Sequence, residues 1–465
     1  MKVLLVVCPA WGVEMPPLGA AMLKAALIHS EIPCTVFDAN QFVWKNTGSE
    51  HHWLWDKSEM HHWGNEDLYQ NTHSLVLKPL WNKIIRRILD EKADIVGFTL
   101  WDSNIHTANL LMQEIKSSAP NTILLSGGPQ TTFKEMRVKI DPVCDYCFVG
   151  EGEEALPEFV DFLKQSQRPL PNGFYLMNQD LHRDLPFRQV QNLLSLPAPD
   201  FSDVSYLQYA TSAMPVIATR SCIFQCRFCS DYPSMGTFRK LSSPALYNIL
   251  SELYRQGIRE LWFNDLLING IISELLEAFL SLEKQSRKMG WIALATPNAQ
   301  LRSEDLKTLK RLGLKTLNLG LESGSEKVMR LMKKGFNKKA ATDGLKRIHE
   351  AGINTQLNII VGFPGETHED FLETLNFLEK NKPYISGFTS VNACILIPGS
   401  EIHTKRQELG LKLGNQRQPE SWYLGEENTP EIRNERLKMM LEWIHSHGYS
   451  IYASNRHTVF MTQNT

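Results

Sequence analysis

Two long stretches of the chain alternate apolar runs with amphipathic segments, a pattern that predicts parallel sheets with crossover helices. In the first, "KVLLVVC" (2–8) reads as a near-continuous apolar strand, and "PPLGAAMLKAALIHS" (16–30) follows as a helix with proline at its start. "PCTVFDA", "ADIVGFTL" (93–100), "NTILLSGG" (121–128) and "CDYCFVG" (144–150) predict further strands, with helices over 105–118 and 153–166. Strands this apolar are buried on both faces, and sheets of this kind bind ligands at the carboxyl ends of their strands. Those ends are "CPAWG", "TLWDS", "SGGPQ" and "VGEGEE", rich in the Gly and Pro that close backbone approach requires.

The second alternating block begins near 214 with the strand "PVIATR" and the helix "SPALYNILSELYRQG". It runs on through "RELWFND", "SELLEAFLSLEKQ", "WIALATPN", "TLNLGLE", "TQLNIIVGFPGE" and "SVNACILIPG". That makes about six β/α units, a partial barrel rather than a full eight. The stretch 43–75 breaks the first block: it is dense in Trp and His and has no clean period. Residues 168–204 are Pro-rich and polar and read as a linker. The expected organisation is therefore α/β: a Rossmann-like domain over 1–167 with an aromatic, His-rich insertion at 43–75, a linker over 168–212, a partial (β/α)6 TIM-like barrel over 213–405, and a short helical extension over 406–465. In that extension an amphipathic helix near 430–446 puts Leu437, Met440, Leu441 and Ile444 on one face, for packing against the barrel or attachment to a membrane surface.

Composition narrows the classes without naming one. The chain has 465 residues, 43% apolar and 22% charged, enough to bury a full core. A net charge of −2 argues against a general nucleic-acid binder, and no apolar run is long enough to predict a membrane span. The opening "MKVLLVVCPAWG" has no secretory cleavage pattern, and the eight cysteines are spread through the chain as reduced thiols would be. The expected location is cytoplasmic.

The densest chemistry is "TRSCIFQCRFCS" (219–230), with Cys222, Cys226 and Cys229 directly after a predicted strand. Thiolates select iron–sulfur clusters and zinc. Three of them are one short of a closed tetrahedral site, and no second Cys or His pair at ligand spacing follows them. On a 4Fe–4S cluster, three thiolates leave one iron open.

This Cys-x3-Cys-x2-Cys spacing, with Phe228 before the third Cys, resembles the radical S-adenosylmethionine (SAM) family. "LWFNDLLINGIIS" (261–273), "LNLGLESGSEKVMRLMKKG" (317–335), "NIIVGFPGET" (358–367) and "ILIPGSEIH" (395–403) resemble, in order, its second-, fourth-, fifth- and sixth-strand segments. The resemblance covers about 214–405 and implies a 4Fe–4S cluster on Cys222, Cys226 and Cys229. It also implies SAM contacts from Phe228, Asn264, Asp265, Glu322, Ser323, Gly362, Gly365 and Pro398, with Glu322 at the SAM ribose or amino group.

The parallel domain ahead of the barrel resembles the cobalamin-binding class of that family, through "PPLGAAMLKAAL", "SGGPQTT" and "VGEGEEALPEF". No Asp-x-His-x-x-Gly motif offers a lower histidine ligand to cobalt, as is common in this class. The resemblance places the corrin against Pro9, Ala10, Trp11, Thr99, Trp101, Ser103, Gly127, Gly128, Gly150 and Glu151, with Trp11 and Trp101 either on its lower face or simply packed. It implies hydrogen abstraction from an unactivated carbon by a 5′-deoxyadenosyl radical, followed by methyl transfer from methylcobalamin. The alternatives are a radical cyclase, oxidase, rearrangement or carbon–sulfur bond-forming enzyme without methyl transfer, and a non-catalytic corrinoid-binding protein. The implied partners are a small-molecule, lipid or natural-product substrate and an external donor of the flavodoxin or ferredoxin type, with no nucleic acid and no transmembrane span.

Three further signals read as structural. Cys144 and Cys147 fall in a predicted strand as buried small hydrophobes. The pairs His51, His52 and His61, His62 read as packed or solvated, or as part of a lid, rather than as a zinc site. Lys333, Lys334, Lys338 and Lys339 read as a solvent-facing helix end.

Overall fold

The computed structural model describes residues 1–165, 168–414 and 421–454. The chain divides into two compact units, Met1–Pro215 and Val216–Thr465. In the first, a six-stranded sheet runs β2-β1-β3-β4-β5-β6. Its strands are β1 (Val3–Val7), β2 (Cys34–Asp38), β3 (Ile95–Thr99), β4 (Ile123–Gly127), β5 (Tyr146–Phe148) and β6 (Phe174–Leu176). The two faces of β1 explain its apolar run. Val3, Leu5 and Val7 enter one apolar cluster while Leu4 and Val6 enter another, so both faces of the sheet are covered. β1 pairs in parallel with β2 on one side and β3 on the other, so the strand order reverses between β1 and β3. Open parallel sheets take ligands outside the carboxyl ends at such a reversal.

The first unit differs from expectation in three places. Cys144 precedes the shortened β5 and only Cys147 lies in it, although both thiols are buried. Residues 168–212, expected as a linker, supply β6, which pairs antiparallel with β5. Its three residues are too few to show an alternation within the polar stretch around them. The insertion is a series of short helices, Ser49–Trp55, His61–Gly64 and Glu66–Thr72, each too short to show a 3.6-residue period. Three of its aromatic residues, Trp55, Trp63 and Tyr69, are core. Trp55 is 3% exposed and Trp63 fully buried, and Trp63 Nε1 donates to Leu54 O at 2.8 Å. These residues make the insertion a packed segment.

In the second unit a seven-stranded sheet runs β15-β14-β13-β12-β11-β10-β7. These are β7 (Ala213–Val216), β10 (Glu260–Phe263), β11 (Gly290–Ala295), β12 (Leu314–Glu322), β13 (Asn354–Val361), β14 (Gly387–Ala393) and β15 (Ile451–Ser454). β10 to β15 pair in parallel, and among the described residues the sheet does not close into a full barrel. The expected strand "PVIATR" breaks after Val216, and Thr219–Arg220 (β8) turns to pair antiparallel with Arg239–Lys240 (β9), leaving the cysteine loop between them. The expected helical extension gives the helix Pro430–Ser446 and a strand, β15, too short to stand out in the sequence. The rest of that extension, 415–420 and 455–465, lies outside the described residues. Among the described residues no helix is long and apolar enough to cross a membrane.

Candidate functional site

The cysteine loop of the second unit is fixed at its base by a buried carboxylate. Asp265, just past β10 and 1% exposed, accepts from Ala218 N at 3.0 Å and from Thr219 Oγ1 at 2.5 Å. Burial pushes its carboxyl up to about 6 against those donors. Asp265 thus braces the segment entering the loop, while its neighbour Asn264 is exposed at the strand end and donates through its backbone to Val216 O. At the far side of the loop Arg227 N donates to Met332 O and Ile402 N to Arg227 O, at 3.1 and 3.0 Å, and Arg227 Nε reaches Glu401 Oε1 at 3.2 Å. The loop is held between the segments that follow β12 and β14.

Cys222, Cys226 and Cys229 are all partly exposed, whereas the other five thiols are buried. Phe224 N and Asp231 N donate to the sulfurs of Cys222 and Cys229, each at 3.4 Å. Burial raises all three thiols, Cys222 to about 11 and Cys229 to about 12. Soft donors with amide N–H groups aimed at sulfur fit an iron–sulfur cluster, whose thiolates are stabilised by such bonds.

Lys334 corrects the sequence reading. It was expected at a solvent-facing helix end, yet its side chain is 4% exposed and its Nζ lies 3.7 Å from Glu322 Oε1. Its ammonium lies 5.7 Å from the Phe228 ring centroid and draws down the thiols of Cys222 and Cys226. The following Gly335 explains the approach, since a Cβ there would meet the Phe224 ring at 2.1 Å. Lys333, Lys338 and Lys339 pair with Glu401, Glu373 and Asp343 as ordinary ion pairs. The sequence signal for Lys334 was its place just before that glycine, hidden by the charge run around it.

Glu322 closes β12 with φ +69 and is 7% exposed. Burial raises its carboxyl and Lys334 pulls it back. Ser323 is turned inward, sharing a hydrogen bond with Thr374 Oγ1 at 3.0 Å and accepting from Ser325 N. It fixes the turn after β12.

The glycine-rich turn after β13 is held by residues the sequence reading missed. Gly362 N donates to Glu366 Oε1 at 2.7 Å, and Arg436 Nη1, from the helix Pro430–Ser446, reaches the same oxygen at 3.3 Å. Both side chains are nearly fully buried. Burial pushes Glu366 up to about 7 against Gly362 and Arg436. Gly362, at φ +73, leaves room that a Cβ would take from Arg433, 2.2 Å away. Arg433 lies 3.7 Å over the Trp422 ring and donates to Trp422 O, and Trp422 Nε1 donates to Cys394 O at 3.0 Å. Gly365 has φ +89, and Pro398 precedes a second such turn at Gly399, φ +85.

In the first unit the carboxyl ends of β1 and β3 are tied together. Ser103 Oγ donates to Ala10 O at 2.8 Å, and Ala10 N to Ser103 O at 3.4 Å. Thr99 O accepts from Asn104 Nδ2 at 3.0 Å, and Pro9 is buried. Trp11 and Trp101 form a tilted pair, centroids 4.9 Å apart, with Trp101 39% exposed. Gly127 borders open space, for a Cβ there would meet nothing within 4 Å. A partly exposed aromatic pair and an open glycine, at the carboxyl ends of β1, β3 and β4, fit a large planar group. Gly128, at φ +94, packs closely on β3's end: a Cβ there would meet Leu100 O at 3.0 Å. Gly150 and Glu151 lie under the chain's own 188–190 segment: Glu151 N donates to Arg188 O and Glu151 Oε2 accepts from Val190 N. Sequence reasoning also missed Asn40. This fully buried amide accepts from Trp11 N at 3.0 Å and Trp55 Nε1 at 2.7 Å, and donates to Gly12 O at 3.3 Å.

Residues 216–378 match the family model of the radical SAM superfamily, and residues 65–160 that of the B12 binding domain. An uncharacterized methyltransferase of Pyrococcus horikoshii is 26% identical over 308 residues, 64% of this chain and 66% of the relative. The anaerobic magnesium-protoporphyrin IX monomethyl ester cyclase of Cereibacter sphaeroides is 23% identical over 63% of this chain and 50% of its own length. The chain thus spans two thirds or less of the length of these two curated relatives. Among solved structures, the cobalamin-dependent SAM radical enzyme OxsB, with aqua-cobalamin and SAM bound, superposes with a TM-score of 0.73 at 17% identity, over 96% of this chain and 67% of its own. The radical SAM methyltransferase TsrM from Kitasatospora setae, with cobalamin and a [4Fe-4S] cluster bound, gives 0.65 at 15% identity, over 90% and 82%. These likenesses show the fold.

Proposed function

From a chain that carries a B12-binding domain followed by a radical SAM domain, we propose an enzyme that uses a 4Fe–4S cluster and SAM to activate an unactivated carbon of a small-molecule or natural-product substrate, and methylates it from cobalamin. The observation that carries this reading is the cysteine loop: three partly exposed thiols braced by Asp265 and Arg227, with the pair of Lys334 and Glu322 buried alongside. Bound there, the cluster and SAM supply a 5′-deoxyadenosyl radical, and methylcobalamin supplies the methyl group.

The protein's own part is to hold and shield. Cys222, Cys226 and Cys229 anchor the cluster, with Phe224 N and Asp231 N steadying the thiolates. Lys334 offsets part of the burial that raises the Glu322 carboxyl, and Glu322 would hold the SAM amino or ribose group. The 362–366 turn, clamped by Arg436, offers backbone to the adenine. In the first unit, Trp11, Trp101 and Gly127 would flank the corrin, and the sequence has no Asp-x-His-x-x-Gly motif to offer it a histidine. An external flavodoxin- or ferredoxin-type protein supplies the electron.

The test is anaerobic purification with iron, sulfide and cobalt quantified, followed by reductive turnover with methyl-labelled SAM. The reading expects about four iron per chain, stoichiometric cobalt, 5′-deoxyadenosine, and label in the product. Cleavage of SAM with unlabelled product moves the reading to the cyclase type, which the Cereibacter relative favours. No SAM cleavage by a cluster-replete protein sinks both.

A further inference from the structure

The insertion of the first unit holds a side-chain group that the proposed chemistry leaves unused. Glu59, His61 and His62 each offer one ligand atom, and these atoms all lie within 4.8 Å of one another. His62 Nε2 is already 3.6 Å from Glu59 Oε2, and the two imidazole centroids are 4.4 Å apart. A zinc ion with bonds near 2.0–2.2 Å asks for ligand atoms about 3.3 Å apart. Glu59, 31% exposed, has the freedom to close that difference.

The scaffold under these side chains is firm. Trp55 on one side of the segment is 3% exposed and Trp63 on the other is fully buried, so 56–62 is pinned at both ends. Trp53 sets its edge against His62 at 5.1 Å. His61 Nδ1 lies 3.2 Å from Ser58 O. Metal-binding histidines are held by outer partners of this kind.

We propose that Glu59, His61 and His62 bind a divalent transition-metal ion of the zinc type, fixing the 56–62 segment. Two imidazoles and one carboxylate suit zinc and disfavour magnesium or calcium, which take oxygen donors. The fourth position falls to water.

The test uses untagged protein with its iron–sulfur cluster assembled, so that neither a histidine tag nor empty thiols compete. Titration with zinc chloride should show one tight site whose affinity falls at least tenfold in His61→Ala and in His62→Ala and is lost in the double variant. Iron content and SAM cleavage should stay unchanged, which separates this site from the radical chemistry. Glu59→Gln, which keeps the side-chain volume, gives the same loss should the histidine variants unfold. Equal zinc stoichiometry and affinity in wild type and variants would overturn the proposal, as would binding that follows Cys144→Ser or Cys147→Ser instead.

Discussion

The cysteine loop of the second unit and the 9–13 loop of the first are held by different materials. The cysteine loop is framed by charge: Asp265 at its entry, Arg227 with Glu401 at its exit, and the buried Lys334 beside Glu322. The 9–13 loop is framed by a neutral amide, Asn40, and by backbone bonds to Ser103. A site that binds through coordination and charge needs particular residue types, and those leave marks in a sequence. A site that binds by shape and stacking needs space and backbone, which many residues can provide.

This contrast can be broken from the charged side first. Replacing Cys222, Cys226 or Cys229 by Ala should abolish the cluster and reduce SAM cleavage to background, while bound cobalt stays at the wild-type level; iron, cobalt and 5′-deoxyadenosine assays read this out. Next comes Arg436→Ala, which strands the buried Glu366 and should cost about 3–5 kcal/mol of stability by denaturant melting. Glu366→Gln keeps the bond from Gly362 and should cost less. Asn40→Ala orphans Trp55 Nε1 and should cost about 2–3 kcal/mol, with cobalt retention falling and cluster content intact.

A smaller effect is set by protons. Asp38, which accepts from Tyr209 OH and Gln41 N, has its carboxyl raised to about 6 by burial. The native state therefore holds a proton that the unfolded chain releases between about 4 and 6. This contribution to stability is full below about 4 and is lost as pH rises to about 6. Asp38→Asn, which keeps both partners, should flatten that slope in melts across the same window. The smallest effect belongs to Trp101→Ala. At 39% exposure it should change stability by about 0.5 kcal/mol or less, yet weaken cobalamin binding about fivefold, equivalent to about 1 kcal/mol.

The same contrast explains what the sequence disclosed. The parallel strands were legible because both faces of β1 are apolar, and the cysteines because spacing alone limits what three thiols can hold. Edge strands β6 and β15 were not, because each sits at the margin of its sheet and carries no alternation that stands out from loop. Lys334 was hidden among lysines that do face solvent, and no local pattern distinguishes the one that turns inward. Arg433 and Arg436 lie far along the chain from the turn they hold, and only the fold brings them together. In the first unit Gly127 opens onto space while Gly128 and Gly150 serve packing, three glycines that a motif treats alike.

The clamp on the 362–366 turn also orders events during synthesis. Glu366 and Arg436 are 70 residues apart. At ribosomal rates of about 5–20 residues per second, the turn waits about 4–14 s for its cation. Through that interval Glu366 has no arginine to offset its burial, so the half-made barrel cannot settle. A nascent chain stalled before Pro430 should therefore present an unfinished second unit to chaperones and proteases, with every cluster cysteine already made.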